Sequence, residues 1–130
     1  GAIVYYDVNG TYASGMTVEQ LISEGNAKVY SKLDGTAYVR DDDPNYLAAE
    51  YEGDIYTYQL DTNVYVVFYI KDAAGYHYGE VKTRNAYDLA VARAVDAAKF
   101  PDAQERAVYQ AMAEMYDAIT EYREDYYSKN

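Results

Sequence analysis

The chain has 130 residues, a formal net charge of −11 and no cysteine. This length fits a single domain over residues 1–130, and the lack of cysteine excludes disulfides, thiolate metal sites and cysteine nucleophiles. Free nucleic acid and anionic membranes repel such an acidic chain, so we expect its partners to be basic or neutral.

Residues 2–82 show mainly strand patterns. The dipeptide Asp34-Gly35 predicts a tight hairpin between the second and third predicted strands. Thr17 and Gln20 form a capping-box pattern, which predicts one short helix near residues 17–24, closed by Gly25. The strand-like segments, rich in β-branched and aromatic residues, are 2–6, 27–33, 36–40, 55–60, 64–71 and 76–82.

After residue 83 the apolar period changes from two to between three and four residues. This pattern predicts two helices, 84–99 and 103–127, joined by a corner at Phe100-Pro101. Asp102 and Glu105 form a second possible capping box. One apolar stripe on the second helix is expected to cover the sheet or, alternatively, to form a homodimer: Val108, Met112, Met115, Ile119, Tyr122 and Tyr126.

These elements predict an α+β fold. We expect an antiparallel sheet of about five strands within residues 2–82, packed by the C-terminal two-helix hairpin. The segment 64–70 has an apolar face, expected to form the core, with the side chains of Val64, Val66, Phe68 and Ile70. Its other face, with Tyr65, Val67 and Tyr69, is expected at a surface, although plain sheet packing of the tyrosines is the alternative.

The acidic residues concentrate in the sheet region. Residues 1–82 contain 13 acids and 5 bases, whereas residues 83–130 contain 9 acids and 6 bases. Between Arg40 and Lys71 there are seven acids and no base, interleaved with tyrosines. We interpret this region as a solvated face or as a binding surface, whose candidate partner-binding residues are Asp41, Asp42, Asp43, Tyr46, Glu50, Tyr51, Glu52, Asp54, Tyr56, Tyr58 and Asp61.

Motifs for catalysis or cofactor binding are weak. Asp41, Asp43, Asn45 and Glu52 match positions 1, 3, 5 and 12 of a calcium loop, but Tyr46 replaces the glycine at position 6 and the flanks read as strands. His77 is the single histidine and lies in a strand pattern, which favours a surface or paired sheet histidine over a general base. We therefore expect no enzyme activity and no cofactor.

Two functions from different classes fit these features. The first is an acidic interaction protein that docks on a basic, nucleic-acid-binding protein, in the extreme case as a DNA mimic; small inhibitors of phages and mobile elements, including anti-CRISPR proteins, often have such a composition. The second is a carbohydrate- or cell-wall-binding module of an exported bacterial protein, with calcium as an option. The N-terminus shows no signal-peptide pattern, which favours the cytoplasm, with secretion as the alternative.

Overall fold

A computed structural model describes residues 1–31, 36–39, 41–45 and 47–129. It shows the α+β class predicted from the sequence. The strands are β1 Ala2–Tyr6, β2 Lys28–Tyr30, β3 Thr36–Val39, β4 Leu47–Glu50, β5 Asn63–Asp72, β6 Gly75–Tyr78 and β7 Lys82–Asn85. The helices are α1 Val18–Ser23, α2 Ala86–Val95 and α3 Ala103–Lys129, and a short 3₁₀ turn spans Thr57–Gln59.

The chain forms two compact units. The first contains Gly1–Asp54 and Asn63–Thr83, and the second contains Ile55–Thr62 and Arg84–Asn130. The prediction of a single domain over residues 1–130 stays a prediction. Among the described residues, no helix combines the length and the apolar character needed to cross a bilayer.

The first unit is built on an antiparallel five-stranded sheet. Its strands follow the order β2-β1-β5-β6, and β7 also pairs with β5. The N-terminal strand β1 is therefore central: Ile3 lies opposite Val29 on one side and opposite Val67 on the other. The five-stranded sheet that the sequence predicts is confirmed.

The core of this unit lies on the tyrosine face of β5. Tyr65 is 1% exposed, and it packs with Ile3, Leu21 and Val67. The Tyr65 hydroxyl donates a hydrogen bond to the backbone oxygen of Tyr12, so burial leaves its polar tip satisfied. Tyrosine thus acts here as a core residue.

The prediction for the two faces of β5 is wrong. Phe68 and Ile70, expected in the core, are 54% and 71% exposed, whereas Tyr65 and Val67 are buried. Val64 and Val66 are half-buried, and Tyr69 packs at the edge of the core. Alternation along a strand separates two faces, but the side on which α1 and the loop after β1 pack decides which face is buried.

Helix α1 forms as its sequence predicts. The Thr17 hydroxyl accepts a hydrogen bond from Gln20 N at 3.2 Å, and the Gln20 side chain accepts one from Thr17 N at 2.8 Å. This reciprocal capping box satisfies two backbone donors at the start of the helix. The helix buries Leu21 and ends before Gly25.

The predicted hairpin over residues 27–40 is wrong in its pairing. Strand β2 pairs with β1, and β3 pairs with β4 in a separate two-stranded sheet. The turn Asp34-Gly35 lies outside the described residues. Strand β4 was not predicted, because its sequence LAAE lacks the β-branched and aromatic residues that typically mark strands.

The predicted strand 55–60 is also wrong. These residues form the 3₁₀ turn of the second unit, where Leu60 is buried and its carbonyl accepts a hydrogen bond from Tyr87 N at 2.9 Å. This bond joins residues far apart in the chain, so no local period could indicate it. The predicted strand 76–82 is divided into β6 and β7 by residues 79–81.

In the second unit, α2 and α3 form the predicted helical hairpin. The Asn85 side chain caps α2 by accepting from Asp88 N, and the Asp102 side chain accepts from Gln104 N at the start of α3. Helix α2 is shorter than predicted and ends at Val95. The predicted apolar stripe of α3 is not a buried face, because Val108, Met115 and Tyr122 are exposed.

Candidate functional site

Six carboxylates lie within residues 41–54 of the first unit, which we call the acidic segment. It begins in the loop between β3 and β4, includes β4 and ends after it. No lysine, arginine or histidine interrupts it. Five of the acids are exposed and Asp43 is half-buried; the six are Asp41, Asp42, Asp43, Glu50, Glu52 and Asp54.

The loop of the acidic segment has a local hydrogen bond. Asp43 Oδ1 accepts from Asn45 N at 3.1 Å, which is an Asx turn typical of aspartate two residues before its donor. Asp43 thus shapes the loop, while Asp41 and Asp42 are exposed. Tyr46 lies outside the described residues.

The end of the acidic segment rests on the sheet. The ring of Tyr51 lies 5.5 Å from the ring of Tyr30, and a Cβ atom at Gly53 would clash with the Tyr6 hydroxyl. Glycine therefore permits this close approach. Burial, then the neighbouring Tyr30 and finally Asp54, raise the pKa of Tyr6.

The remaining predicted residues belong to the second unit. Tyr56 and Tyr58 are exposed on the 3₁₀ turn, with parallel rings whose centroids are 5.5 Å apart. Asp61 accepts a hydrogen bond from Asn85 Nδ2 at 3.0 Å. The structure therefore divides the predicted partner-binding residues between the two units.

Several cations of the chain lie over its own tyrosine rings. Lys28 Nζ is 5.2 Å from the centroid of Tyr6, and the Arg123 guanidinium is 5.3 Å from that of Tyr58. Lys71 over Tyr76 and Arg93 over Tyr109 show the same geometry. These cation–π contacts form within the chain itself, and one of them involves Tyr58, a predicted partner-binding residue.

His77 is paired across the β5–β6 hairpin. Its Nε2 atom lies 3.0 Å from Asp72 Oδ1, which also accepts a hydrogen bond from Ala74 N at 2.8 Å. The contact with His77 is the main reason why the pKa of Asp72 is lowered. The prediction of a paired sheet histidine is confirmed.

The calcium-loop match does not fold as a helix–loop–helix site. Residues 47–50 form strand β4, and the loop follows strand β3. Among the residues that the structure describes, no three histidine, aspartate or glutamate side chains are grouped to hold a metal ion. The spacing of Asp41, Asp43, Asn45 and Glu52 is matched in sequence only.

Four tyrosines have raised pKa values, which predicts that the folded protein loses stability at alkaline pH. The hydroxyl of Tyr12 donates to Glu24 Oε2 at 2.8 Å, and this bond raises the pKa of Tyr12 because only the protonated phenol can donate. The pKa values of Tyr5, Tyr6 and Tyr87 are raised as well, the first two mainly by burial and that of Tyr87 mainly by its hydrogen bond to Asp117.

These phenols hold their protons more tightly in the folded state. Their contribution to stability is complete below about pH 10 and is lost as the pH rises through the folded-state values. We expect the urea midpoint to fall steeply above that pH, and to fall less steeply in Tyr12→Phe. Equal slopes for the two proteins would contradict the role of the Tyr12–Glu24 bond.

Sequence reasoning missed an exposed aromatic group on the β5–β6 hairpin. The rings of Tyr76 and Tyr78 are nearly parallel, with centroids 6.0 Å apart, and both side chains are exposed. Tyr69 packs against both rings from β5. The alternation of tyrosine with His77 was the available signal, because it indicates one shared face.

No protein-family description, curated protein or solved structure matches the chain. The surface itself is therefore the basis for a functional proposal.

Proposed function

We propose that the protein is a non-enzymatic interaction protein whose acidic segment docks on a basic surface of a protein partner, as a DNA mimic does. The observation that supports this is the exposure of Asp41, Asp42, Glu50, Glu52 and Asp54 within 14 residues that contain no base. A partner that normally binds nucleic acid offers the matching lysine and arginine side chains.

Electrostatics favours encounter with such a partner. The net charge of −11 attracts a basic surface from a distance and speeds association, and salt screens this attraction over about 8–10 Å at physiological ionic strength. Carboxylates can occupy the positions at which arginine and lysine hold phosphates, with bidentate hydrogen bonds to arginine.

Local structure limits the entropy that docking removes. The Asx turn at Asp43 shapes the start of the acidic segment, and at its end Gly53 lies close to the Tyr6 hydroxyl. Glu52 and Asp54 flank Gly53, so their backbone is held near the sheet. A surface ordered before binding retains more of its interaction energy as affinity.

Charge reversal tests the proposal. The tagged chain is used to capture proteins from lysate of the source cells, with elution along a salt gradient and displacement by duplex DNA. We expect a nucleic-acid-binding protein to elute at moderate salt. The double variant Asp41→Lys and Asp42→Lys should weaken its binding by about tenfold or more, because two exposed attractions become repulsions.

A matched variant separates local contact from net charge. Glu121 and Glu124 are exposed on α3, and changing both to lysine alters the net charge by the same amount. Equal weakening by the two double variants would show that only total charge matters. Unchanged binding of the Asp41 and Asp42 variant would remove the acidic segment from consideration.

The exposed pair Tyr76 and Tyr78 supports a second candidate, a carbohydrate-binding module. Aromatic rings with polar tips suit the amphipathic faces of sugars, and such contacts depend little on salt. Binding of the chain to neutral glycans that is insensitive to salt and lost in Tyr76→Ala and Tyr78→Ala would favour this candidate over the acidic interaction protein.

A further inference from the structure

Helix α3 has two different long faces. One face packs on α2: the rings of Tyr116 and Tyr87 are 5.0 Å apart, and Arg93 Nη1 donates to the Tyr109 hydroxyl at 3.2 Å. Ala113 is buried on this face. This face supplies the contacts that α3 makes with α2 in the helical hairpin.

The other face has an exposed apolar row, which we call the outer row. Val108 and Met115 are 60% and 42% exposed, and Tyr122 and the two alanines between these residues are also exposed. The outer row consists of Val108, Ala111, Met115, Ala118 and Tyr122, whose separations of three, four, three and four residues match positions a and d of a heptad repeat.

We propose that the outer row binds the same row of a second copy of this chain, with the two α3 helices antiparallel. In antiparallel coiled coils an a residue faces a d residue of the partner. A two-fold axis next to Ala113 places Val108 opposite Ala118 of the second copy and Met115 opposite Ala111 of the second copy. Each large side chain then meets a small one, which is the alternation that close packing requires.

The two-fold symmetry extends the match to the ends of the outer row. Gln104, one d position before Val108, lies opposite Tyr122 of the second copy in the same register, so an amide faces a phenol. An isologous interface requires that each contact occurs twice, and this register satisfies that condition for all three pairs. A different partner would not account for large and small residues arranged symmetrically about one position.

The apolar area that the two α3 helices can bury sets the expected affinity of the dimer. From Gln104 to Tyr122 the helix rises about 27 Å, and Met112 and Ile119, both half-buried, widen the apolar strip. Two such strips bury on the order of 1,000 Å² in total, which is near the lower limit for a specific interface. The dimer is therefore weak and forms as the concentration rises.

Charge opposes this dimer. Each copy has a net charge of −11, and Glu114, at a g position, faces Glu114 of the second copy near the axis. Added salt screens this repulsion and strengthens the dimer. Docking of the acidic segment is weakened by salt, so the two associations respond in opposite directions and can be tested independently.

Sedimentation equilibrium of the full chain, up to roughly millimolar concentration and at low and high sodium chloride, tests the proposal. We expect a monomer–dimer equilibrium that salt strengthens. Ala111→Glu should raise the dissociation constant at least about tenfold, because its carboxylate faces Met115 of the second copy. Ala103→Glu adds the same charge at an exposed position outside the outer row and should leave it nearly unchanged.

The antiparallel orientation of the two α3 helices has its own test. Because the chain has no cysteine, a single introduced cysteine can form a disulfide only with its copy in the second chain. Under mild oxidation, Glu114→Cys should form a disulfide-linked dimer and Ala111→Cys should not, because in this register Glu114 lies near Glu114 of the second copy whereas Ala111 faces Met115. The reverse result would overturn the antiparallel arrangement. A monomer at every concentration and salt level, or equal association of the wild type and Ala111→Glu, would overturn the dimer.

Discussion

Replacing Tyr65 with alanine is expected to destabilise the protein by about 3–5 kcal/mol, the range for truncating a large buried aromatic side chain. The residue is almost fully buried against Ile3, Leu21 and Val67. Its loss leaves a cavity at the centre of the core and removes the hydroxyl bond to the Tyr12 carbonyl. Urea denaturation followed by circular dichroism measures the change.

Two further variants show where the stability lost in Tyr65→Ala comes from. Tyr65→Phe keeps the ring and loses the hydroxyl, so we expect a loss of about 1–2 kcal/mol from the unpaired Tyr12 carbonyl. Phe68→Ala removes a ring of similar size from the opposite, half-exposed face and should cost less than Tyr65→Ala. A larger loss for Phe68→Ala would mean that the core lies on the other face of the sheet.

Replacing Asp7 with alanine is expected to cost about 3 kcal/mol or more, because hydrogen bonds to charged groups contribute roughly 1.5–3 kcal/mol each. Asp7 is buried, and its two carboxylate oxygens accept from Thr11 N and Tyr12 N, each at 2.8 Å. These bonds close the loop that also holds the Tyr12 carbonyl against Tyr65.

Two control variants test whether the loss of stability is specific to the buried carboxylate of Asp7. Asp7→Asn keeps one acceptor oxygen and should fall between the wild type and Asp7→Ala in its urea midpoint. Asp41→Ala removes an exposed carboxylate and should change stability by less than about 0.5 kcal/mol. Equal midpoints for Asp7→Ala and Asp41→Ala would show that the loop does not depend on this carboxylate.

Local signals in the sequence predicted local structure well. The capping box of α1 and the cap of α3 at Asp102 depend on hydrogen bonds between residues two or three positions apart, so the residue types alone indicate them. The bounds of β1 and of the long strand β5 follow from dense β-branched and aromatic residues. Exposure of the acidic segment is expected too, because charged side chains are rarely buried.

Features that depend on distant residues could not be predicted in this way. The buried face of β5 depends on the carbonyl of Tyr12, 53 residues before Tyr65, which satisfies the phenol. The turn at residues 57–59 depends on Tyr87. The pairing of β2 with β1 requires a longer loop than the Asp34-Gly35 hairpin, and its advantage comes from extending the sheet.

For α3, the apolar pattern alone could not show which residues are exposed. The stripe read from the sequence contains residues of different burial: Met112 and Ile119 are half-buried, whereas Val108 and Met115 are exposed. A long helix that is apolar on several sides has more than one stripe at heptad spacing. Only the position of α2 shows which residues remain exposed.

The order of the segments along the chain has a consequence for folding during synthesis. Strand β1 is made before its partner β5, which ends at Asp72, so the central pairing of the sheet waits until the whole segment between the two strands has been synthesised. Residues 55–62 emerge before β5, yet they belong to the helical unit that follows Thr83. A fragment that ends at Thr83 would therefore contain this segment, with Leu60, but not the helices of its own unit.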